Sequence, residues 1–178
     1  ILRAETFSYT LEDDSIVANG KTFYQLARQS TKDTATTKSF VGALHFGEGE
    51  DNRVYFLHNG VEYVLYDFTA EPGDTVEIFA GINNYPQETT YTHVVVDKDT
   101  TEDGACRMFL KVVFPDETTT ATHAEKIWLA GLGSIDGIVH NAAKRTSNAH
   151  AAPARSAHSS ETESSVMLCA WREDSCLY

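Results

Sequence analysis

Ser134 lies in the most glycine-rich context of the chain, G-L-G-S-I-D-G over residues 131–137. A serine made nucleophilic by a strand-to-helix elbow needs G-x-S-x-G, because glycine two residues to either side relieves the strain of the turn. Here Leu132 and Asp136 occupy those two places. A dinucleotide loop would need a third glycine at Asp136 and a strand–helix–strand unit around it, and the pattern of the chain offers neither. The stretch from Trp128 to Gly137 therefore reads as structure. Trp128 is expected to anchor a strand in the core, with Gly131, Gly133 and Gly137 turning the chain after it.

Other chemistry-bearing residues are dispersed. The 7 histidines (His45, His58, His93, His123, His140, His150 and His158) show no H-x-x-x-H or other metal-ligand spacing. Among 26 acidic side chains no spacing selects a glycosidase-type pair. The acidic run Gly47-Glu48-Gly49-Glu50-Asp51 lacks the alternation and closing glutamate of a calcium loop, so it reads as a solvated turn. Tyr55, Tyr63, Tyr66, Phe68, Tyr85, Tyr91 and Trp128 could include a carbohydrate-stacking platform, with core packing as the default. The 3 cysteines are Cys106, Cys169 and Cys176. They have no C-x-x-C spacing and are too few for a disulfide framework. Cys169 and Cys176 could bridge a terminal hairpin, and Cys106 reads as a small core residue. No catalytic, cofactor-binding or metal-ligating residue is singled out.

The elements that must position these side chains are strands. The strongest hairpin signals are Asn19-Gly20, between Ile16–Ala18 and Lys21–Leu26, and Asn59-Gly60, between Arg53–His58 and Val61–Tyr66. Asn-Gly supplies the two positive-φ residues of a type I′ turn, whose twist matches the flanking strands. Centring the second hairpin on its turn sets Phe56 opposite Tyr63, Tyr55 opposite Val64 and Val54 opposite Leu65. Both faces are then largely apolar, as in strands covered on both sides or curled around a core. A third hairpin pairs Tyr91–Lys98 with Ala105–Phe114, where Cys106, Met108, Leu110, Val112 and Phe114 alternate with Arg107, Phe109, Lys111 and Val113. Further strands are expected at Ser39–Phe46, Thr75–Phe79, His123–Ala130 and Val166–Trp171. No helical periodicity of useful length occurs. The expected fold is all-β, an antiparallel meander of roughly ten short strands forming stacked sheets or a partly closed barrel.

At 178 residues, 42% hydrophobic, the chain is expected to form a single domain, residues 1–178. Residues 141–165 contain seven alanines and no Ile, Leu, Val, Met or aromatic residue. They cannot bury enough apolar area to offset their ordering entropy, so a flexible polar loop is expected. The net charge of −12 disfavours nucleic acid and anionic lipid as partners. No apolar run approaches the roughly 18 residues of a transmembrane helix, and a start at Ile1 suggests a processed chain.

The residues also carry a resemblance. Asp14-Ser15-Ile16-Val17-Ala18-Asn19-Gly20-Lys21-Thr22-Phe23, Leu65-Tyr66-Asp67-Phe68 with Gly73-Asp74-Thr75, Trp128–Gly137 and Leu168-Cys169 follow in order along most of the chain. This set resembles a family of secreted or cell-surface proteins of the Bacteroidetes, associated with type IX secretion and marked by W-x-x-G-(I/L)-G-S. Ala130 replaces that family's usual glutamate, residues 141–165 are longer than expected, and an end at Tyr178 without that family's sorting domain is expected of either a trimmed chain or a variant lacking one. The resemblance implies a compartment, export to periplasm, surface or medium, and not an activity. It also implies possible O-glycosylation at Asp-Ser/Thr sites, of which Thr34 and Thr100 fall in apparent loops. The expected role is an exported, non-catalytic binding or interaction module for a glycan or surface protein. An exported glycan hydrolase and a barrel for a small apolar ligand are the alternatives.

Overall fold

The computed structural model describes residues 7–30, 38–79, 90–113 and 125–134, together with the backbone of 171–172 and 175–176. Every regular element among them is a strand. Gly137, Cys169, residues 141–165 and the strand expected from Val166 lie wholly or largely outside the described residues, so the terminal bridge stays an expectation. The chain divides into two compact units, Ile1–Thr69 and Ala70–Tyr178.

The first unit is a five-stranded antiparallel meander. Its strands are β1 (Phe7–Ala18), β2 (Lys21–Ser30), β3 (Ser39–Phe46), β4 (Arg53–His58) and β5 (Val61–Asp67). Asn19 and Gly20 have φ of 52° and 75°, and Asn59 and Gly60 of 49° and 80°. Both tight turns thus have the positive-φ pair that the type I′ geometry requires. Phe56 does pair with Tyr63, and Tyr55 with Val64, but Val54 pairs with Tyr66. The expected Val54–Leu65 pair is corrected by a bulge at Leu65, which moves every later residue of β5 by one place. Both faces of the sheet are buried, with Leu26, Leu44, Phe56 and Tyr66 on one and Phe23 and Ala43 on the other.

The second unit contains β6 (Thr75–Phe79), β7 (Thr90–Thr100), β8 (Cys106–Val112), β9 (Glu125–Leu129) and β10 (Gly133–Ser134). They form a second antiparallel meander in sequence order. A separate hairpin joins β11 (Trp171–Arg172) to β12 (Ser175–Cys176), with Cys176 opposite Trp171. The alternation in β8 is realised: Met108, Leu110 and Val112 are buried. Cys106, expected in the core, is half-buried at the strand's first position and carries a free thiol. In β7 the register shifts between Val95 and Asp97, which leaves Val96 as a bulge. Among the described residues no helix is long and apolar enough to cross a membrane.

Candidate functional site

Side chains of opposite charge converge on one face of the first sheet. Lys21 of β2 forms an ion pair with Glu62 of β5, and Asn19 Nδ2 donates to the same carboxylate at 2.8 Å. In a flat sheet, with strands ~4.8 Å apart and a rise of ~3.4 Å, these two positions would lie roughly 20 Å from each other. Direct contact requires the sheet to curl toward this face. That matches one of the two sheets being a curled half-barrel. The Asn19-Gly20 turn and Glu62 thus meet across the concave side.

An aromatic row crosses the same face. The rings of Phe23 and His45 lie 5.6 Å apart and those of His45 and Tyr55 5.8 Å. His45 Nδ1 donates to the Thr22 carbonyl at 2.9 Å, which fixes the ring's tautomer. Lys21 Nζ sits 3.5 Å from the centroid of Tyr55. That face of Tyr55 is taken by an ammonium and is not open for a sugar ring.

Arg53 organises the far end of the row. Its Nε donates to Asp67 at 2.8 Å, one terminal nitrogen lies 3.4 Å from Asp51, and the other donates to Thr69 Oγ1 at 3.1 Å. Tyr55 OH donates to Asp51 at 3.0 Å. Thr69 donates to Asp67 from its backbone N–H at 2.9 Å and its hydroxyl at 2.5 Å. Burial pushes the Asp67 carboxyl up, yet the hydrogen bonds from Thr69 and Arg53 outweigh it and hold the group below its ordinary range. Glu62 behaves alike: burial raises it, and donation from Lys21 and Asn19 carries it below. Asp67 in turn raises Arg53. Both carboxylates are therefore favoured in their charged forms.

The second unit carries a different polar set. Val76, Ile78, His93, Val95, Met108, Leu110, Val112, Lys126, Trp128 and Ser134 share one buried face. His93 Nδ1 donates to the Tyr91 carbonyl at 3.1 Å, and among the described residues its buried Nε2 has no hydrogen-bond partner. Burial lowers its pKa to about 4, with the nearby Lys126 charge acting the same way. Ser134 pairs with Trp128 across the β9–β10 hairpin, whereas His93 lies two strands further over on β7. With Nδ1 on the Tyr91 carbonyl and Nε2 without a partner among the described residues, His93 makes no hydrogen bond to Ser134. A cavity of about 210 Å³ opens at the Val96 bulge, lined by Val96, Asp97, Phe109 and Leu110. Of these only Asp97 is charged, and its carboxylate already accepts from the Lys98 N–H at 2.8 Å.

The glycine stretch falls out as a turn. Gly131 and Gly133 have φ of 88° and 90°, and Leu132 N–H donates to Leu129 at 3.0 Å. Trp128 is fully buried on β9. Trp128, Gly131 and Gly133 thus share one hairpin, Asn19 reaches Glu62, and Gly20, Asn59 and Gly60 remain turn residues. Tyr55 was named as a candidate stacking residue, whereas Lys21, Arg53, Glu62 and Asp67 were not singled out as site residues. Alternation within β2, β4 and β5 was the available signal, but the Leu65 bulge hides the Arg53–Asp67 pairing. Among the described residues no three His, Cys, Asp or Glu side chains are grouped to hold a metal ion. No protein-family model matches the chain, and comparison with curated proteins and with solved structures gives no match.

Proposed function

We propose that this chain is an exported, non-catalytic β module that acts by binding a partner at a surface. The observation that carries the reading is a division of labour in the first unit. Its converging charged groups are engaged with one another, as Lys21–Glu62 and as Arg53 with Asp51 and Asp67. Its large apolar side chains Val17, Tyr24, Phe40, Phe46 and Val61 stand exposed. Catalytic acids and bases need pKa values near the working pH, while exposed apolar groups are what binding surfaces bury. Export rests on the resemblance of the N-G-K-T-F and W-L-A-G-L-G-S segments to secreted and cell-surface proteins.

The glycan-hydrolase reading would need two carboxylates facing an open gap. Asp67 and Glu62 are held by cations instead, which favours binding. The test is a paired screen of the purified protein. Immobilised glycans and surface-protein peptides report binding, while glycosides, peptides and esters report turnover. Saturable binding that Val17→Ser, at an exposed apolar position, weakens is the expected result. Turnover of any substrate class above background overturns the reading.

A further inference from the structure

We propose that the outer edge of β1 is the binding surface of this module and that its partner is an extended, lysine- or arginine-bearing segment that adds as a strand beside it. This rests on the binding reading above. Among the described residues, β1 pairs with β2 and no strand lies on its other side. A sheet edge presents free backbone donors and acceptors, and an extended peptide can complete the ladder there.

The side chains of β1 favour the same conclusion. None of its 12 residues is buried. Leu11, Ile16 and Val17 are 42%, 43% and 76% exposed. Val17 pairs with Thr22 and Ile16 with Phe23, so these apolar groups flank both faces of the edge. Ordering such a strand costs conformational entropy that its own burial does not offset. A strand laid alongside would cover Leu11 and Val17 on one face and Ile16 on the other.

Charge selects the occupant. The register breaks between Leu11 and Ser15, so that Glu12, Asp13 and Asp14 stand opposite Gln25 alone. Glu12 is held by Lys38 at 2.5 Å. Asp13 and Asp14 are exposed, and among the described residues no cation pairs with them. A second copy would bring the same carboxylates to the break, on a chain whose net charge is already −12. A cationic strand neutralises them. The bulge also divides the edge into Phe7–Leu11 and Ser15–Ala18, which penalises strands lacking charge at the break.

The experiment uses the full chain with two short peptides, one alternating valine and lysine, the other valine and glutamate. Binding is read by fluorescence anisotropy at low and high salt, and its location by amide hydrogen exchange. The lysine peptide should bind saturably, weaken with salt and protect β1 amides, while the glutamate peptide should not bind. Asp13→Lys with Asp14→Lys should weaken the lysine peptide about tenfold, with exchange in β2–β5 unchanged as the check on folding. Absence of saturable binding, binding indifferent to that double reversal, or β1 protection arising from self-association in sedimentation each overturns the proposal. Protection confined to the Tyr24–Phe46 face would overturn the edge assignment while keeping the binding reading; turnover in the paired screen would remove the binding reading itself.

Discussion

Where β3 passes β4, the Phe56 ring lies in the space that a side chain at position 42 would need. A Cβ on Gly42 would come within 2.4 Å of Phe56 Cζ and 2.8 Å of the Leu57 carbonyl oxygen. The ring can retreat only by disturbing a core in which Phe56 and Leu44 are fully buried. Gly42→Ala should therefore cost about 1–3 kcal/mol, the usual range for overpacking, measured as a lowered urea midpoint. The glycine hairpin makes the complementary case, because its constraint comes from the backbone. Gly133 is buried with φ of 90°, and a β-branched residue there meets its own carbonyl. Gly133→Val should cost about 1–3 kcal/mol. Ser134→Ala, at the neighbouring buried position, should leave partner binding unchanged, as read by anisotropy. Loss of binding in Ser134→Ala with stability intact would give that hydroxyl the functional role denied it here.

Strands rather than single residues make the curl of the first sheet, and the Lys21–Glu62 contact ties its two ends. Both side chains are partly exposed, at 27% and 18%, so solvent screening keeps the pair modest. A double-mutant cycle with Lys21→Met and Glu62→Gln should give a coupling energy of about 0.5–1 kcal/mol. A coupling near zero in thermal denaturation would mean that the curl is held by packing alone. The ease with which this fold can be read from the chain follows the range of the interactions involved. Asn19-Gly20 and Asn59-Gly60 announce their hairpins because only φ-permissive residues fit a type I′ turn, and β8 announces its buried face by alternation. Leu65 is different. Nothing in V-E-Y-V-L-Y-D marks which residue bulges, so the chain's pattern pairs Arg53 with Tyr66, while the fold pairs it with Asp67. A one-residue shift in register reassigns every side chain beyond it. That shift is why the Arg53 network, which depends on it, was not legible. Lys21 and Glu62 were hidden for another reason: they are 41 residues apart and meet only once the sheet has curled.

At the scale of the molecule, the buried histidine and the engaged carboxylates together set how stability depends on pH. His93 is fully buried, and its pKa falls from 6.5 to about 4 because burial penalises the cation. Its unfolded form takes up a proton as pH drops below 6.5, while its folded form resists until about 4. Between those values the unfolded chain binds more protons, so stability falls as pH falls. Glu62 and Asp67 act in the same direction at lower pH. Their folded pKa values lie below 4.5 and 3.8, so their contribution is present above those values and is lost as pH drops through the folded ones. Acid should therefore destabilise the protein in two stages. The first, between pH 6.5 and 4, belongs to His93 and is about 3 kcal/mol at full burial, from 1.36 kcal/mol per pKa unit. His93→Leu removes the titrating group, and its urea midpoint should stay nearly flat across that window. The second stage, below about pH 4.5, should survive in that variant and shrink in Glu62→Gln and Asp67→Asn. If His93→Leu kept the full slope between pH 6.5 and 4, the proton uptake would have to come from another group, and His93 would be a packing residue with no part in the acid response.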